Sequence, residues 1–279
     1  MPKVKVNDIQ MYYEVKGEGF PLVMIQGLGG NLECWNPRLV EGLSKHFKLI
    51  LFDNRGAGRT ELSKREYTMR LFADDTAGLM NALGISKAHI LGMSMGGMIA
   101  QELAINYPQK VSKLILCSTS SKPSYSKEGS RVLEAMSQSS IEELTKLILS
   151  FPFTLDYPQD LLKLYPMIIF GLTSEFVKEN PDLAKLLLQQ GTEHPTSQEG
   201  FRHQYDAVLG FDTQARLQQI KVPTLVLQGK KDRLVPPENG SILAKAIPNA
   251  KLVSLEKSGH MLAEEMDEAI HTVTEFLLA

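Results

Sequence analysis

Short apolar runs recur along this chain, and segments with helical patterns separate them. Each run has the length of a buried strand and is too short for a buried helix. The runs lie at 21–27, 47–53, 89–92, 113–117, 222–229 and 250–255. Helical patterns lie between or after them, at 74–83, 95–107 and 262–278. Strands that alternate with helices predict an α/β fold, with a mostly parallel sheet covered by helices on both faces.

The first residues have a different pattern. Val4 to Val15 alternates around the pair Asn7-Asp8, which is typical of two edge strands joined by a turn. Together with the six apolar runs, this hairpin predicts a sheet of eight strands.

Residues 121–212, which we call the lid segment, interrupt this rhythm. They contain no run typical of a buried strand, and prolines divide them into several helical stretches. We therefore predict a core domain formed by 1–120 and 213–279, with 121–212 inserted as a helical lid. The lid segment holds many aromatic residues, including Phe153. These residues could form its own core or line an apolar pocket, and both roles stay open.

Composition excludes several classes of protein. The chain is 43% hydrophobic and 22% charged, with a net charge of −2, so nothing indicates nucleic acid or an anionic membrane as a partner. Cys34 and Cys117 are too few for a disulfide framework and lack metal-ligand spacing. The first residues contain no apolar run typical of a signal peptide. We expect a cytoplasmic monomer or small homo-oligomer that acts on a small molecule.

A nucleophile motif follows the run at 89–92. Gly92-Met93-Ser94-Met95-Gly96 fits the pattern G-x-S-x-G, and a helix rich in small residues comes next. In such a strand–turn–helix arrangement the serine sits on a sharp turn that exposes its oxygen. The helix N-terminus favours negative charge that develops there. Ser94 is therefore the predicted nucleophile.

Six histidines are candidates for the base that a serine nucleophile needs. His46 and His89 lie at the starts of strands, His194 and His203 in the lid segment, and His271 inside the last helix. His260 remains, in the loop after the last strand, at the carboxyl edge where α/β active sites form.

A carboxylate should orient this histidine and stabilise the imidazolium. Asp232 follows the strand at 222–229, and the chain order Ser94, Asp232, His260 is the order expected of a nucleophile, an acid and a base on this type of fold. Asp53 also follows a strand but precedes the serine. We interpret Asp53 and Arg55 as structural residues that brace their loop.

The tetrahedral intermediate needs donors for its oxyanion. We predict the backbone N–H groups of Met95, directly after the nucleophile, and of Leu28, in the loop after the strand at 21–27. The candidates for substrate contact are Gly27, Trp35, Arg131, Phe153 and Met261.

These motifs together resemble the α/β-hydrolase superfamily. The matching segments are Gln26-Gly27-Leu28-Gly29-Gly30, Asp53-Asn54-Arg55-Gly56-Ala57-Gly58, Gly92-Met93-Ser94-Met95-Gly96-Gly97, Gly229-Lys230-Lys231-Asp232 and Gly259-His260. Within the superfamily, the N-terminal half is similar to 3-oxoadipate enol-lactonases and other small esterases and lactonases. Relatives usually have histidine where this chain has Gln26. The serine nucleophile separates the chain from the haloalkane dehalogenase and epoxide hydrolase branches, which use aspartate.

The charge of the lid segment argues against an anionic substrate. Acidic residues outnumber basic ones there, which does not favour attraction of a carboxylate-bearing lactone. A single well-placed arginine, such as Arg131, would reverse this argument.

Three functions are compatible with the motifs. The first is hydrolysis of a carboxylic ester or lactone through an acyl-serine intermediate. The second is carbon–carbon bond hydrolysis, acyl transfer or perhydrolysis by the same triad. The third is a binding protein on a hydrolase scaffold, which an intact triad disfavours. None of them requires a metal or an organic cofactor.

Overall fold

A computed structural model describes residues 3–164 and 167–279, and it confirms the α/β fold class. One sheet contains eight strands, as predicted. The strands are β1 Lys3–Val6, β2 Ile9–Lys16, β3 Pro21–Ile25, β4 Lys48–Phe52, β5 Ala88–Met93, β6 Val111–Cys117, β7 Thr224–Gly229 and β8 Lys251–Leu255.

The sheet is mostly parallel. Its strand order is β1-β2-β4-β3-β5-β6-β7-β8, and only the β1–β2 and β2–β4 pairs are antiparallel. The other neighbouring pairs are parallel, so the carboxyl ends of β3 to β8 meet at one edge of the sheet. Loops that leave this edge are where α/β folds form ligand sites.

Helices cover both faces of the sheet. Alternate residues of β3 point to opposite faces, so Val23 and Ile25 lie in one apolar cluster and Leu22 and Met24 in another. The helices of the N-terminal half are α1 Pro37–Ser44, α2 Met69–Ala82 and α3 Met95–Asn106.

Helix α2 begins five residues before the predicted position 74. The hydroxyl of Thr68 accepts a hydrogen bond from the N–H of Leu71 at 3.0 Å, which caps an additional first turn. Because Met69, Leu71 and Phe72 are buried, this turn also belongs to the core.

The described residues of the lid segment form helices joined by turns and loops, and they contain no strand. Many of its side chains form a third apolar cluster together with Leu234, Val235 and Ala263 of the core. The division into a core and an inserted domain stays a prediction. The helices are α4 Lys127–Gln138, α5 Ile141–Leu149, α6 Gln159–Leu164, α7 Ile168–Gly171, α8 Ser174–Glu179, α9 Pro181–Gln189 and α10 Gln198–Leu209.

The last two helices are α11 Glu238–Ala246 and α12 Met266–Leu278. The predicted start of α12 at Leu262 is wrong, because Leu262 has a left-handed backbone with φ +56°. A 3-10 turn at Ala263–Glu265 separates it from the helix. Leu262 and the 3-10 turn thus connect the loop that carries His260 to α12.

Two classes of feature are absent from the part of the chain that the structure describes. None of the helices within 3–164 and 167–279 combines the length and apolar character that a membrane span requires. The same residues include no group of three or more His, Cys, Asp or Glu side chains arranged to hold a metal ion.

Candidate active site

Ser94 occupies the turn between β5 and α3. Its backbone has φ +54° and ψ −119°, a conformation that residues with a side chain rarely adopt. The N–H of Ser94 donates to the carbonyl of Cys117 at 2.9 Å, and the hydroxyl of Thr119 donates to the Ser94 carbonyl at 2.7 Å. The turn is therefore held from the neighbouring strand, and it places Ser94 at the carboxyl edge of the sheet.

Two glycines of the motif are required by close packing. A Cβ atom at Gly92 would lie 2.2 Å from the carbonyl oxygen of Gly96. A Cβ atom at Gly96 would lie 2.0 Å from the carbonyl oxygen of Ile25. Any side chain at either position would force the turn apart, which explains why the pattern around Ser94 needs glycine on both sides.

His260 and Asp232 form a buried hydrogen-bonded pair. Nδ1 of His260 lies 2.8 Å from Oδ2 of Asp232. The other carboxylate oxygen of Asp232 accepts hydrogen bonds from the N–H groups of Leu234 and Val235, both at 2.9 Å. These bonds fix the carboxylate, and the carboxylate in turn fixes the orientation of the imidazole ring.

Ser94 and His260 line the same cavity of about 350 Å³. Among the described residues, no hydrogen bond joins the Ser94 hydroxyl to the His260 ring. Hydrogen bonds between a nucleophile and its base are often long without substrate and tighten in the substrate complex. The arrangement is compatible with proton transfer once a substrate brings the two groups together.

The loop between β3 and the 3-10 turn at Leu32–Cys34, residues 26–31, is the predicted oxyanion loop, and it lies directly against the serine. A Cβ atom at Gly27 would lie 3.2 Å from Cβ of Ser94, so a larger residue at this position would press on the serine. The side-chain oxygen of Gln26 accepts a hydrogen bond from the N–H of Gly27 at 2.8 Å. In the described chain, the N–H groups of Leu28 and Met95 have no hydrogen-bond partner. Both groups can therefore still donate a hydrogen bond, and Leu28 lines the cavity.

The cavity wall is dominated by apolar side chains from both the core and the lid segment. Among the described lining residues, the only ionisable side chains are those of Cys34, Tyr125 and His260. Burial raises the pKa of Tyr125, so its hydroxyl stays neutral. The described lining residues are Gln26, Gly27, Leu28, Gly29, Gly30, Cys34, Trp35, Asn36, Leu39, Met93, Ser94, Tyr125, Leu133, Met136, Met167, Phe201, Leu234, His260, Met261 and Met266.

Three of the five residues predicted for substrate contact line this cavity, namely Gly27, Trp35 and Met261. Trp35 is buried, and its indole N–H has no hydrogen-bond partner within the described residues.

The other two, Phe153 and Arg131, lie elsewhere in the lid segment. The ring of Phe153 stacks on Phe151 with centroids 5.5 Å apart, and the guanidinium of Arg131 lies 5.4 Å from the centre of the Phe151 ring. Arg233 lies over the other aromatic ring of this stack, 4.8 Å from the centroid of Phe153. These mutual contacts, rather than the cavity, hold the two side chains.

The family can be assigned at this point. The α/β hydrolase fold family matches residues 21–267 of the chain. The chain belongs to the α/β hydrolase fold family. The match spans the turn at Ser94, the oxyanion loop, Asp232 and His260.

Several known proteins are similar to this hydrolase over nearly its whole length. A protein of Azorhizobium caulinodans, assigned provisionally as the carbamate hydrolase RutD, is 26% identical over 260 residues, which cover 93% of this chain and 91% of the relative. The enol-lactonase from Burkholderia xenovorans LB400 superposes with a TM-score of 0.83 at 27% identity and full coverage of both chains. A thermophilic esterase from Thermogutta terrifontis, with malate bound, gives a TM-score of 0.81 at 26% identity, covering 99% of this chain and 98% of its own. The family and these neighbours support hydrolase activity and the esterase and lactonase branch.

Asp53 and Arg55 of the hydrolase lie in buried networks behind the site. Oδ1 of Asp53 accepts a hydrogen bond from the N–H of Leu32 at 2.7 Å, just after the oxyanion loop. The fully buried guanidinium of Arg55 pairs with Asp75 and Asp8, each at 2.7 Å. These contacts agree with the structural interpretation of both residues.

Sequence reasoning missed most of the cavity wall. Five methionines line it, and they come from β5, α4, α12 and two connecting segments. No periodicity links positions so far apart in the chain. The only sequence signal for these residues is the number of methionines, 12 in the whole chain. That number does not indicate which methionines line the cavity.

Proposed function

We propose that this hydrolase cleaves a carboxylic ester or lactone through an acyl-serine intermediate, with Ser94, His260 and Asp232 as its triad. The observation that carries the proposal is the 2.8 Å bond from His260 to the buried Asp232, beside a cavity shared with Ser94. A histidine that only packs in the core requires neither a carboxylate held in a fixed orientation nor a position at the wall of a cavity.

The reaction follows from these positions. The Ser94 hydroxyl attacks the substrate carbonyl carbon while its proton passes to Nε2 of His260. Asp232 accepts the Nδ1–H bond and stabilises the imidazolium. The oxyanion accepts hydrogen bonds from the backbone N–H groups of Leu28 and Met95. When the intermediate collapses, the bond to the leaving alcohol breaks and His260 returns the proton to it. A water molecule then attacks the acyl-serine by the same steps and releases the acid.

The cavity favours a neutral, apolar substrate. No described lining residue is Lys, Arg, Asp or Glu, so a substrate carboxylate would lose its hydration without gaining a cationic partner. The net negative charge of the lid segment opposes the approach of an anion as well. Flexible methionine side chains can adapt to acyl chains of different shapes.

The predicted lid contributes to this choice of substrate. Tyr125, Leu133, Met136, Met167 and Phe201 all belong to the lid segment and line the cavity. We propose that residues 121–212 cover Ser94 and exclude water from the acyl group, which strengthens the hydrogen bonds to the oxyanion.

A panel of substrates tests the proposal. p-Nitrophenyl esters and lactones of graded acyl length are compared with matched substrates that carry a terminal carboxylate on the acyl chain. We expect kcat/KM to be at least about tenfold higher for the neutral member of each pair, because the carboxylate would be desolvated without a partner. Ser94→Ala should abolish turnover of every member.

The same panel separates the alternatives. Carbamates are included because of the RutD relative, and vinylogous diketones and added alcohols test carbon–carbon hydrolysis and acyl transfer. Turnover of a diketone or carbamate with no turnover of any ester would contradict the proposed reaction. A preference for the carboxylate-bearing esters would contradict the proposed substrate class alone.

A further inference from the structure

One stretch of the lid segment is bound to the oxyanion loop by several hydrogen bonds. The hydroxyl of Thr196 donates to the carbonyl of Gly29 at 2.9 Å. The side-chain amide of Asn31 donates to the carbonyls of Gly191 and His194, at 3.0 Å and 2.8 Å. Residues 191–196 are therefore fixed to the loop that carries the predicted oxyanion donor.

Gln204 of α10 adds the contact nearest to that donor. Its side-chain oxygen accepts a hydrogen bond from the N–H of Gly29 at 2.9 Å. Its side-chain nitrogen donates to the carbonyl of Arg55 at 3.0 Å. The residue is fully buried, so both ends of the amide are satisfied only by these two loops.

The N–H of Leu28 is thereby flanked by two fixed peptide groups. The N–H of Gly27 is held by Gln26, and the N–H of Gly29 is held by Gln204. The N–H of Leu28, between them, has no partner in the described chain. Two glutamine amides thus hold the peptides on either side and leave the middle donor open.

Helix α10 also packs tightly on both loops. A Cβ atom at Gly29, which has φ +71°, would lie 2.9 Å from the ring of Phe201. A Cβ atom at Gly200 would lie 2.2 Å from the carbonyl oxygen of Gly56. The two glycines therefore let the helix lie close enough to both loops for Gln204 to bond to each of them.

We infer that Gln204 is a positioning residue, which holds the oxyanion loop so that the N–H of Leu28 meets the oxyanion. This inference rests on the proposed function. Gln204 touches neither Ser94 nor the reacting carbonyl, and it acts through Gly29. Because an oxyanion donor acts mainly in the transition state, the loss of this positioning lowers kcat more than it raises KM.

The direct test is Gln204→Met, which keeps the length of the side chain and removes both hydrogen bonds. We expect kcat for p-nitrophenyl butyrate to fall roughly 10- to 100-fold, since a displaced donor loses most of its effect. KM should change less than about threefold. The inhibition constant of butylboronic acid, which forms a tetrahedral adduct with serine, should rise by the same factor as kcat/KM falls.

Three further variants serve as controls. Gln198→Met makes the same exchange at an exposed position of α10, and Val208→Ala removes buried apolar contact from the same helix at a side chain that forms no hydrogen bond with the loop. Both should keep kcat within about threefold of the original chain. Gln204→Glu keeps an oxygen acceptor for Gly29 and should retain more of kcat than Gln204→Met. All rates are expressed per folded molecule, measured by circular dichroism and urea titration.

The outcomes separate this inference from the proposed function. A Gln204→Met enzyme with kcat within threefold of the original, or a Val208→Ala enzyme of equal stability with an equal loss of kcat, would overturn the role of Gln204. If Gln204→Met does not fold, Gln204→Asn takes its place, because its shorter amide cannot reach both loops. A Gln204→Asn enzyme with unchanged kcat and unchanged boronate inhibition overturns the role, and a matching loss of both supports it. If the original chain hydrolyses no ester, or if Ser94→Ala remains active, the proposed function itself fails.

Discussion

His260 and His89 lie at opposite ends of the same sheet. His260 follows β8, at the carboxyl edge, and its Nδ1 lies 2.8 Å from a buried carboxylate while its ring lines the cavity. His89 lies at the start of β5, at the amino end, where its ring packs between Phe20 and Phe47. Its Nδ1 is buried, and it has no hydrogen-bond partner among the described residues.

The two rings have different surroundings. Burial, and then the positive charge of Lys113, lower the pKa of His89 to about 4, so this ring stays neutral at physiological pH. The ring of His260 is instead held through Nδ1 by Asp232 at the wall of the cavity. The same residue type is therefore a packing element at one end of the sheet and a candidate base at the other.

The largest effect expected from this comparison concerns turnover. His260→Ala should reduce kcat for p-nitrophenyl butyrate by at least about 10³-fold, because the serine loses its base. His89→Leu removes a histidine of similar burial, and it should leave kcat within about twofold. Steady-state kinetics of both variants, with folding verified by circular dichroism, provides the measurement. Equal losses in the two variants would mean that the comparison is wrong.

A smaller effect concerns stability in acid. Because the pKa of His89 is about 4 in the folded chain and 6.5 in the unfolded chain, the unfolded state binds more protons between these values. The free energy of unfolding therefore falls as pH decreases from 6.5 towards 4. By this linkage His89 costs the folded state about 2 kcal/mol at pH 5 relative to neutral pH.

His89→Leu should remove that cost. Urea titration at pH 7.5 and pH 5 would show a smaller loss of stability in the variant than in the original chain, by about 2 kcal/mol. The original chain is its own control at each pH. An identical pH dependence in both proteins would show that His89 is not the group that takes up the proton.

Much of the fold could be predicted because its signals are local. Short apolar runs and the turn around Asn7-Asp8 predicted all eight strands, and the loops after β7 and β8 drew attention to Asp232 and His260. The boundaries of α2 and α12 were less accurate. The Thr68 cap extends α2 at its N-terminus, and the left-handed Leu262 moves the start of α12 towards the C-terminus. Neither effect changes the hydrophobic pattern from which the boundaries are predicted.

The cavity wall and the Gln204 contacts depend on long-range packing instead. Gln204 and Gly29 are 175 positions apart, and nothing near either residue indicates the bond between them. Arg131 and Phe153 have the chemistry that predicts substrate contact. Their orientation depends on contacts with Phe151 and Arg233. A sequence pattern does not predict where those two residues lie.

Detection of the acyl-serine intermediate most directly tests whether Ser94 is the nucleophile. The enzyme is mixed with p-nitrophenyl butyrate, quenched in acid during turnover, digested and examined by mass spectrometry. We predict one butyryl group on the peptide that contains Ser94, and no such adduct in Ser94→Ala. Steady turnover with no adduct at Ser94, or with the butyryl group on another residue, would contradict Ser94 as the nucleophile.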